Sequence, residues 1–442
     1  MSAVQDYQRL YHQLANELPG HAIDGIRQMR EAAIGRFAEL GFPTRKQEAW
    51  KYTRLQALEQ ATFAPQIDAA AAIQAEQLPL AGLDAHRLVF VDGHFHAGLS
   101  QLQGLPSGVL ISELSGLLQH SASATPLQAL FDAEQHGTDV LRALNQAFVT
   151  DGATITILAG TEVERPIHLV YVSSAERPQA ASYGYNLVVM ERDSRARLIE
   201  SHVALGQAQY VNSLQTDIHL AAGAQLQHYK LQLEGEAGLH LAATRIDQGP
   251  KSQYQNHLFA LGAQLMRNEL GIQLNGEAAS CVANGLFLAQ GEQHLDMQTQ
   301  TDHRAPGCSS RELYRGMADD RSRGIFNGMV KVHRDAQQSD AQLTSNNLLL
   351  SRQAEIDAKP QLEIDADDVK CAHGATIGQL DPDVLFYLRS RGIDADTARD
   401  LMLYAFANAV VEACPYGEVS GIVRQRLLQR LRGGAQLQEL LT

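Results

Sequence analysis

From about residue 153 onward, for roughly two hundred residues, the chain keeps one texture: short runs whose polarity alternates residue by residue, punctuated by turn residues. Leu214, Thr216, Ile218 and Leu220 alternate with Gln215, Asp217 and His219. After Gly223, Tyr229, Leu231 and Leu233 alternate with Lys230 and Gln232; later Leu295, Met297, Thr299 and Thr301 alternate with Asp296, Gln298 and Gln300. A period of two sends successive side chains to opposite faces, so each run predicts a strand with one face packed and one wet. No helical stretch intervenes, which excludes a βαβ fold, in which parallel strands need crossover helices. A sandwich, a barrel or a β-solenoid remains. The tetrapeptide Gly-Ala-Gln-Leu occurs at 223–226 and again at 262–265 without a strict period. An irregular solenoid accounts for many strands in one stretch, because each coil buries its inner face on its neighbours. Alternation alone leaves solenoid and sandwich both open.

The two ends read as helices. Ile26, Met29, Ala33, Phe37 and Leu40 form one apolar stripe, which Gly41-Phe42-Pro43 stops. The segment Arg45–Tyr52 follows and carries the single tryptophan, Trp50. The Ala/Gln-rich stretch 66–77 predicts a surface linker, Leu88–Val91 and Val109–Ile111 predict strands, and 126–148 predicts a helix. Beyond His373, Asp381-Pro382 starts a helix with a capping carboxylate followed by proline at the first helical position. Val384, Leu385 and Leu388 are its apolar side, and Gly392 ends it. A second helix from about Asp396 and a third over roughly 417–431 complete a three-helix end of the kind that docks a partner.

Charge narrows the function. The net charge of −14 argues against a binder of phosphate backbones, whose affinity rests on clustered Lys and Arg, so no nucleic-acid partner is expected. Arg424, Arg426, Arg430 and Arg432 form one local basic cluster, read as a solvated helix face. No basic stretch followed by an apolar one opens the chain, and no run nears the ~18 apolar residues that span a bilayer, so neither a signal peptide nor a membrane is expected. The four cysteines, Cys281, Cys308, Cys371 and Cys414, lack paired spacing, which speaks for a reducing, cytoplasmic setting.

Phosphate-loop, dinucleotide-binding, nucleophile-elbow and Cys-x-x-Cys patterns are all missing. One constellation stands out, Asp367-Asp368-Val369-Lys370-Cys371-Ala372-His373-Gly374. In an extended segment Val369, Cys371 and His373 share a face, and a thiolate and an imidazole two residues apart can reach one borderline metal. Two ligands do not complete a site, so the rest would come from distant residues or another chain. Set against this, a cysteine beside a valine packs like any small apolar residue. A Cys–His nucleophile pair is a third reading, without an orienting group to support it. His303 and Cys308 flank a Pro-Gly turn and are read as structural; Asn346-Asn347 is read as a ladder between coils, and Asp365, Asp367 and Asp368 as a solvated edge.

Four segments carry a family resemblance: His303–Ser310 continuing to Leu313-Tyr314-Arg315-Gly316, Arg323–Gly328, Ala341–Ser351, and Val369–Gly378. They resemble the SufB/SufD family of iron–sulfur cluster assembly proteins, as do Arg45–Thr53 and Ala143–Phe148 upstream, so the likeness covers nearly the whole chain. The resemblance implies a mainly β fold, a right-handed parallel β-helix core flanked by N-terminal and C-terminal α-helical domains. The corresponding divisions are 1–85 helical, 86–150 mixed, 151–375 β-helix, and 376–442 helical and docking an ATPase subunit. It further implies a scaffold that is not an enzyme and has no permanently bound cofactor. A transient iron–sulfur cluster would sit at an interface with a SufB-like chain at the end of the β-helix, and a SufC-like ATPase would sit on the C-terminal helices. A homodimer stands open for the isolated chain. His373 takes the position of the family's site histidine and Cys371 that of its companion. Lys359-Pro360-Gln361-Leu362-Glu363 stands where the SufB branch carries its essential cysteine; this chain has none there, which puts it on the SufD side. Two rivals remain: an adaptor in which Cys371 and His373 only pack, and a β-helix enzyme acting on polysaccharides.

Overall fold

The alternating runs do form strands, and they stack as a parallel β-solenoid of about eight turns. The computed structural model describes residues 2–67, 73–120 and 139–441. Each solenoid strand pairs with the next but one. Gln225–Leu233 lies between Arg195–Ala204 and Gln253–Ala260, whereas Tyr210–Leu220 lies between Ala180–Met190 and Gly238–Gln248. A strand of the opposite sheet therefore serves as the crossover, which is how parallel pairing is reached without helices. Two ten-stranded sheets result; the first ends at Glu355–Ile364 and the second at Val369–Gly378. Glu200, Lys230, Leu258, Gly285, Tyr314, Ser345 and Ala375 hold one position in consecutive coils at unequal intervals, so no period is visible in the sequence. The two Gly-Ala-Gln-Leu tetrapeptides sit at opposite corners, one leading into the second sheet and the other into the first.

The expectation of one packed and one wet face needs correcting. Leu214, Ile218 and Leu220 point into the solenoid as the pattern says, but Gln215 and Asp217 on the other face are buried too. There the helix Val140–Phe148 covers the first sheet, and Arg142 meets Asp217 at 2.6 Å with both side chains buried. Between Gln225 and Leu233 the pattern is inverted. Tyr229 and Leu231 face outward into a cluster with the C-terminal helices, while Lys230 and Gln232 point into the core. Lys230 Nζ lies 2.9 Å from Glu200, which also takes a hydrogen bond from His202 at 2.8 Å. Burial opposes ionisation of Glu200, but Lys230 and the imidazoles of His202 and His228 outweigh it and hold the carboxyl well below its ordinary range.

The helical ends coat the solenoid on opposite sides. Tyr7, Tyr11, Phe37 and Phe148 pack on Tyr183, Val211, Leu239 and Leu241 of the first sheet. The helix Asp24–Leu40 stops at Gly41, whose φ of 64° is open to glycine without strain. Leu88–Val91 and Val109–Ile111 are strands, as expected. Of the expected 126–148 helix, Val140–Phe148 is helical and the part before residue 139 lies outside the described residues, as do 68–72 of the expected linker. On the second sheet, Leu403, Val410, Val419 and Leu427 cover Tyr229, Phe259 and Leu286. Four helices form this end instead of three: Pro382–Ser390, Ala395–Glu412, Gly417–Arg430 and Gly434–Leu441. Asp381 caps the first by accepting from Asp383 N at 2.8 Å. The arginine cluster is not a uniformly solvated face. Arg430 reaches back to Gln290, Gln293 and the Leu261 carbonyl, and Arg432 lies 3.4 Å from Asp319.

Candidate functional site

The solenoid is left open at its C-terminal end. Among the described residues, Glu355–Ile364 and Val369–Gly378 each pair on one side only, so their outer edges present backbone donors and acceptors that no described strand takes up. Pro360 fits such a strand because it has no N–H to contribute to a ladder. The constellation singled out in the sequence lies on the second of these strands. Register places Cys371 beside Ala341 and His373 beside Leu343, and both neighbours point inward. Cys371 and His373 therefore face the mouth of the last coil together. Below them the floor is apolar, with Ala341, Leu343, Phe326 and Val330 all buried.

The pair differs in environment. Cys371 is half-buried and, with Val369, packs against that floor; His373 is exposed. Burial pushes the Cys371 thiol above its ordinary range, partly offset by a hydrogen bond at Ala341. The thiol carries its proton until something displaces it, and a metal ion is such a thing. Among the described residues no three His, Cys, Asp or Glu side chains converge for a metal, so Cys371 and His373 make at most part of a ligand set within this chain. The Asn346-Asn347 pair ties the end strand down: Asn347 Nδ2 donates to the Thr376 carbonyl at 3.2 Å, and Thr376 Oγ1 donates to Asn346 Oδ1 at 2.9 Å. Asp365, Asp367 and Asp368 are exposed at the corner between the two end strands.

His303 and Cys308 are packing residues. The imidazole lies 2.9 Å from Ser310 Oγ and 3.2 Å from Ser339 Oγ, and burial pulls it down to about 4, so it is neutral and used on both nitrogens. Cys308 Sγ donates to the Gly276 carbonyl. Two exposed features escaped the sequence reading. The helix Pro382–Ser390 shows Phe386 at 73% and Tyr387 at 55% exposure, on a different side from the half-buried Leu385 and Leu388. Exposed aromatics carry no periodic signal of their own.

Two family models match most of the chain, up to residue 406. The SufBD protein N-terminal region matches residues 1–169, and the SufBD core domain of the SUF system for FeS cluster assembly matches residues 171–406. The chain belongs to the SufBD family. It is 35% identical over 400 residues to the iron-sulfur cluster assembly protein SufD of Escherichia coli, covering 90% of this chain and 91% of that one. An iron-sulfur cluster assembly SufBD family protein of Synechocystis is 33% identical over 408 residues, covering 90% and 89%. SufD of Bacillus subtilis is 26% identical over 332 residues, with 75% of each chain covered. The parallel solenoid with helical flanks is the architecture the resemblance implied. No helix among the described residues is long and apolar enough to cross a membrane.

Proposed function

We propose that this SufD-like chain is a scaffold subunit, without an enzymatic activity of its own, that offers Cys371 and His373 as a partial ligand set for an iron–sulfur cluster in assembly. The cluster is cargo, completed by ligands from a SufB-like chain that seats on the open coil. The observation that carries the reading is the open mouth, where a half-buried thiol and an exposed imidazole share one face between two unpaired strand edges. Edges of this kind recruit strands from another chain, which would close the mouth and bring donors to the pair. The exposed Phe386, Tyr387 and Val384 support a second contact, a SufC-like ATPase on the C-terminal helices. A cytosolic setting fits four cysteines that form no disulfide.

The adaptor reading draws on one observation, that Cys371 packs against the floor of the coil. Co-purification with the partner chains, followed by iron and sulfide analysis, separates the two. The scaffold reading expects His373→Ala to abolish cluster content while the complex still forms. Wild-type cluster content in the double variant Cys371→Ser, His373→Ala would instead establish the adaptor.

A further inference from the structure

The segment from Arg45 to Arg54 runs as a strap over the outer face of the first sheet, anchored from below at Trp50 and Thr53 and tied at its edge by Glu48. Trp50 is buried beneath the Arg267 guanidinium, which stands 3.7 Å from the ring centroid and donates to the Ala49 carbonyl at 3.0 Å. Thr53 Oγ1 donates to Asp296 at 2.5 Å and lies 2.9 Å from His294 Nε2. Glu48, the only carboxylate in the strap, is taken up by Lys359 on the last strand of the first sheet. These contacts carry the strap up to the open coil.

The outward side is different. Arg45, Lys46, Lys51 and Arg54 are all exposed, and among the described residues none of the four has a carboxylate at ion-pair distance; Lys51 lies over the Tyr52 ring. Three other cations at this end of the solenoid are engaged, Arg323 with Asp357 and Glu355, Lys331 with Glu363 and Arg311 with Asp340, while the exposed Arg352 and Lys370 stand singly outside the strap. In a chain of net charge −14, four cations within ten residues, none of them in an ion pair among the described residues, form a concentrated positive strip. The anchors below have already fixed its backbone, so a partner meets ordered charges and little ordering entropy remains to be lost there.

We infer that this strip is a docking surface for an acidic segment of the polypeptide that closes the open coil. The inference rests on the reading of that coil as partner-facing, since a chain seating on the Glu355–Ile364 edge brings its side chains alongside the strap. Charges of this kind act mainly on the encounter rate, and salt screens them over about 8 Å at physiological ionic strength.

The test uses the full chain and its co-expressed SufB-like partner, with association rates measured at low and high salt. In the triple variant Arg45→Glu, Lys46→Glu, Lys51→Glu the anchors Glu48, Trp50 and Thr53 are untouched, and circular dichroism should be that of the wild type. The expected result is a loss of roughly tenfold or more in association rate at low salt, vanishing at high salt. The neutral variant Arg45→Gln, Lys46→Gln should fall between, and it serves as the measurement if the charge reversal disturbs folding. Wild-type association rates in these variants, with the partner still binding, overturn the inference and leave the scaffold reading standing. Failure of the wild type itself to bind the partner overturns both. A strip that binds duplex nucleic acid or anionic vesicles, with partner association unchanged in the variants, also overturns it.

Discussion

Glu312 offers the most quantitative check on the solenoid interior. Its carboxyl lies inside the solenoid and accepts hydrogen bonds from Thr299 at 2.8 Å and Thr301 at 2.7 Å across the core. No cation pairs with it among the described residues. Burial raises it from 4.5 to about 7, and the two hydroxyls only partly offset that rise. The folded state therefore holds the proton more tightly than the unfolded chain. The stability this contributes is complete below about pH 4.5 and is lost as pH climbs through about 7. At about 1.4 kcal/mol per unit, the loss amounts to roughly 3 kcal/mol. Glu312→Gln keeps an acceptor for the threonines and removes the proton equilibrium. The assay is chemical denaturation of both proteins at a series of pH values from 4 to 8, because titrations elsewhere cancel in the difference. The variant should gain on the wild type by roughly 3 kcal/mol across that range. If the two stability curves run parallel between pH 5 and 8, Glu312 is not a neutral acid in the core and the reasoning is wrong.

Removing one partner of the buried Arg142–Asp217 pair, as in Arg142→Met, leaves the carboxylate with the Tyr185 hydrogen bond and the more distant charge of Arg245 and should cost about 3–5 kcal/mol in the same denaturation assay. Phe386→Ser should leave the melting temperature within about a degree of wild type, because that residue is 73% exposed, yet, on the proposed docking, abolish pull-down of a SufC-like ATPase.

Some of this architecture was legible in the chain, and some was hidden for definite reasons. Strand existence was written in runs such as Leu214 to Leu220, and the helix start at Asp381-Pro382 in its cap. Which face looks inward was not legible at Tyr229 to Leu233, because the apolar side is reserved for the C-terminal helices and the polar side for Glu200. Local alternation reports that two faces differ, without reporting which one a distant helix will cover. The solenoid itself could not be told from a sandwich because the corners absorb varying numbers of residues between equivalent positions such as Gly285 and Tyr314. At the candidate site the shared face of Cys371 and His373 followed from strand period alone. That the coil above them is missing is a property of the fold's end, which no residue pair encodes. Trp50 stood out only by its rarity; its seat beneath Arg267 joins residues far apart in sequence and leaves no local trace.

Because the two helical ends clothe opposite sheets, the molecule is mechanically two-sided. A pull on the helix Ala395–Glu412 enters the second sheet through Tyr229, Phe259 and Leu286, and through Arg315, which donates to the Phe406 carbonyl. That same sheet terminates in the strand bearing Cys371 and His373. Leverage applied from the C-terminal side would thus reach the column of strands that holds the thiol and the imidazole, whereas the opposite column is packed against the N-terminal helices and the Trp50 strap.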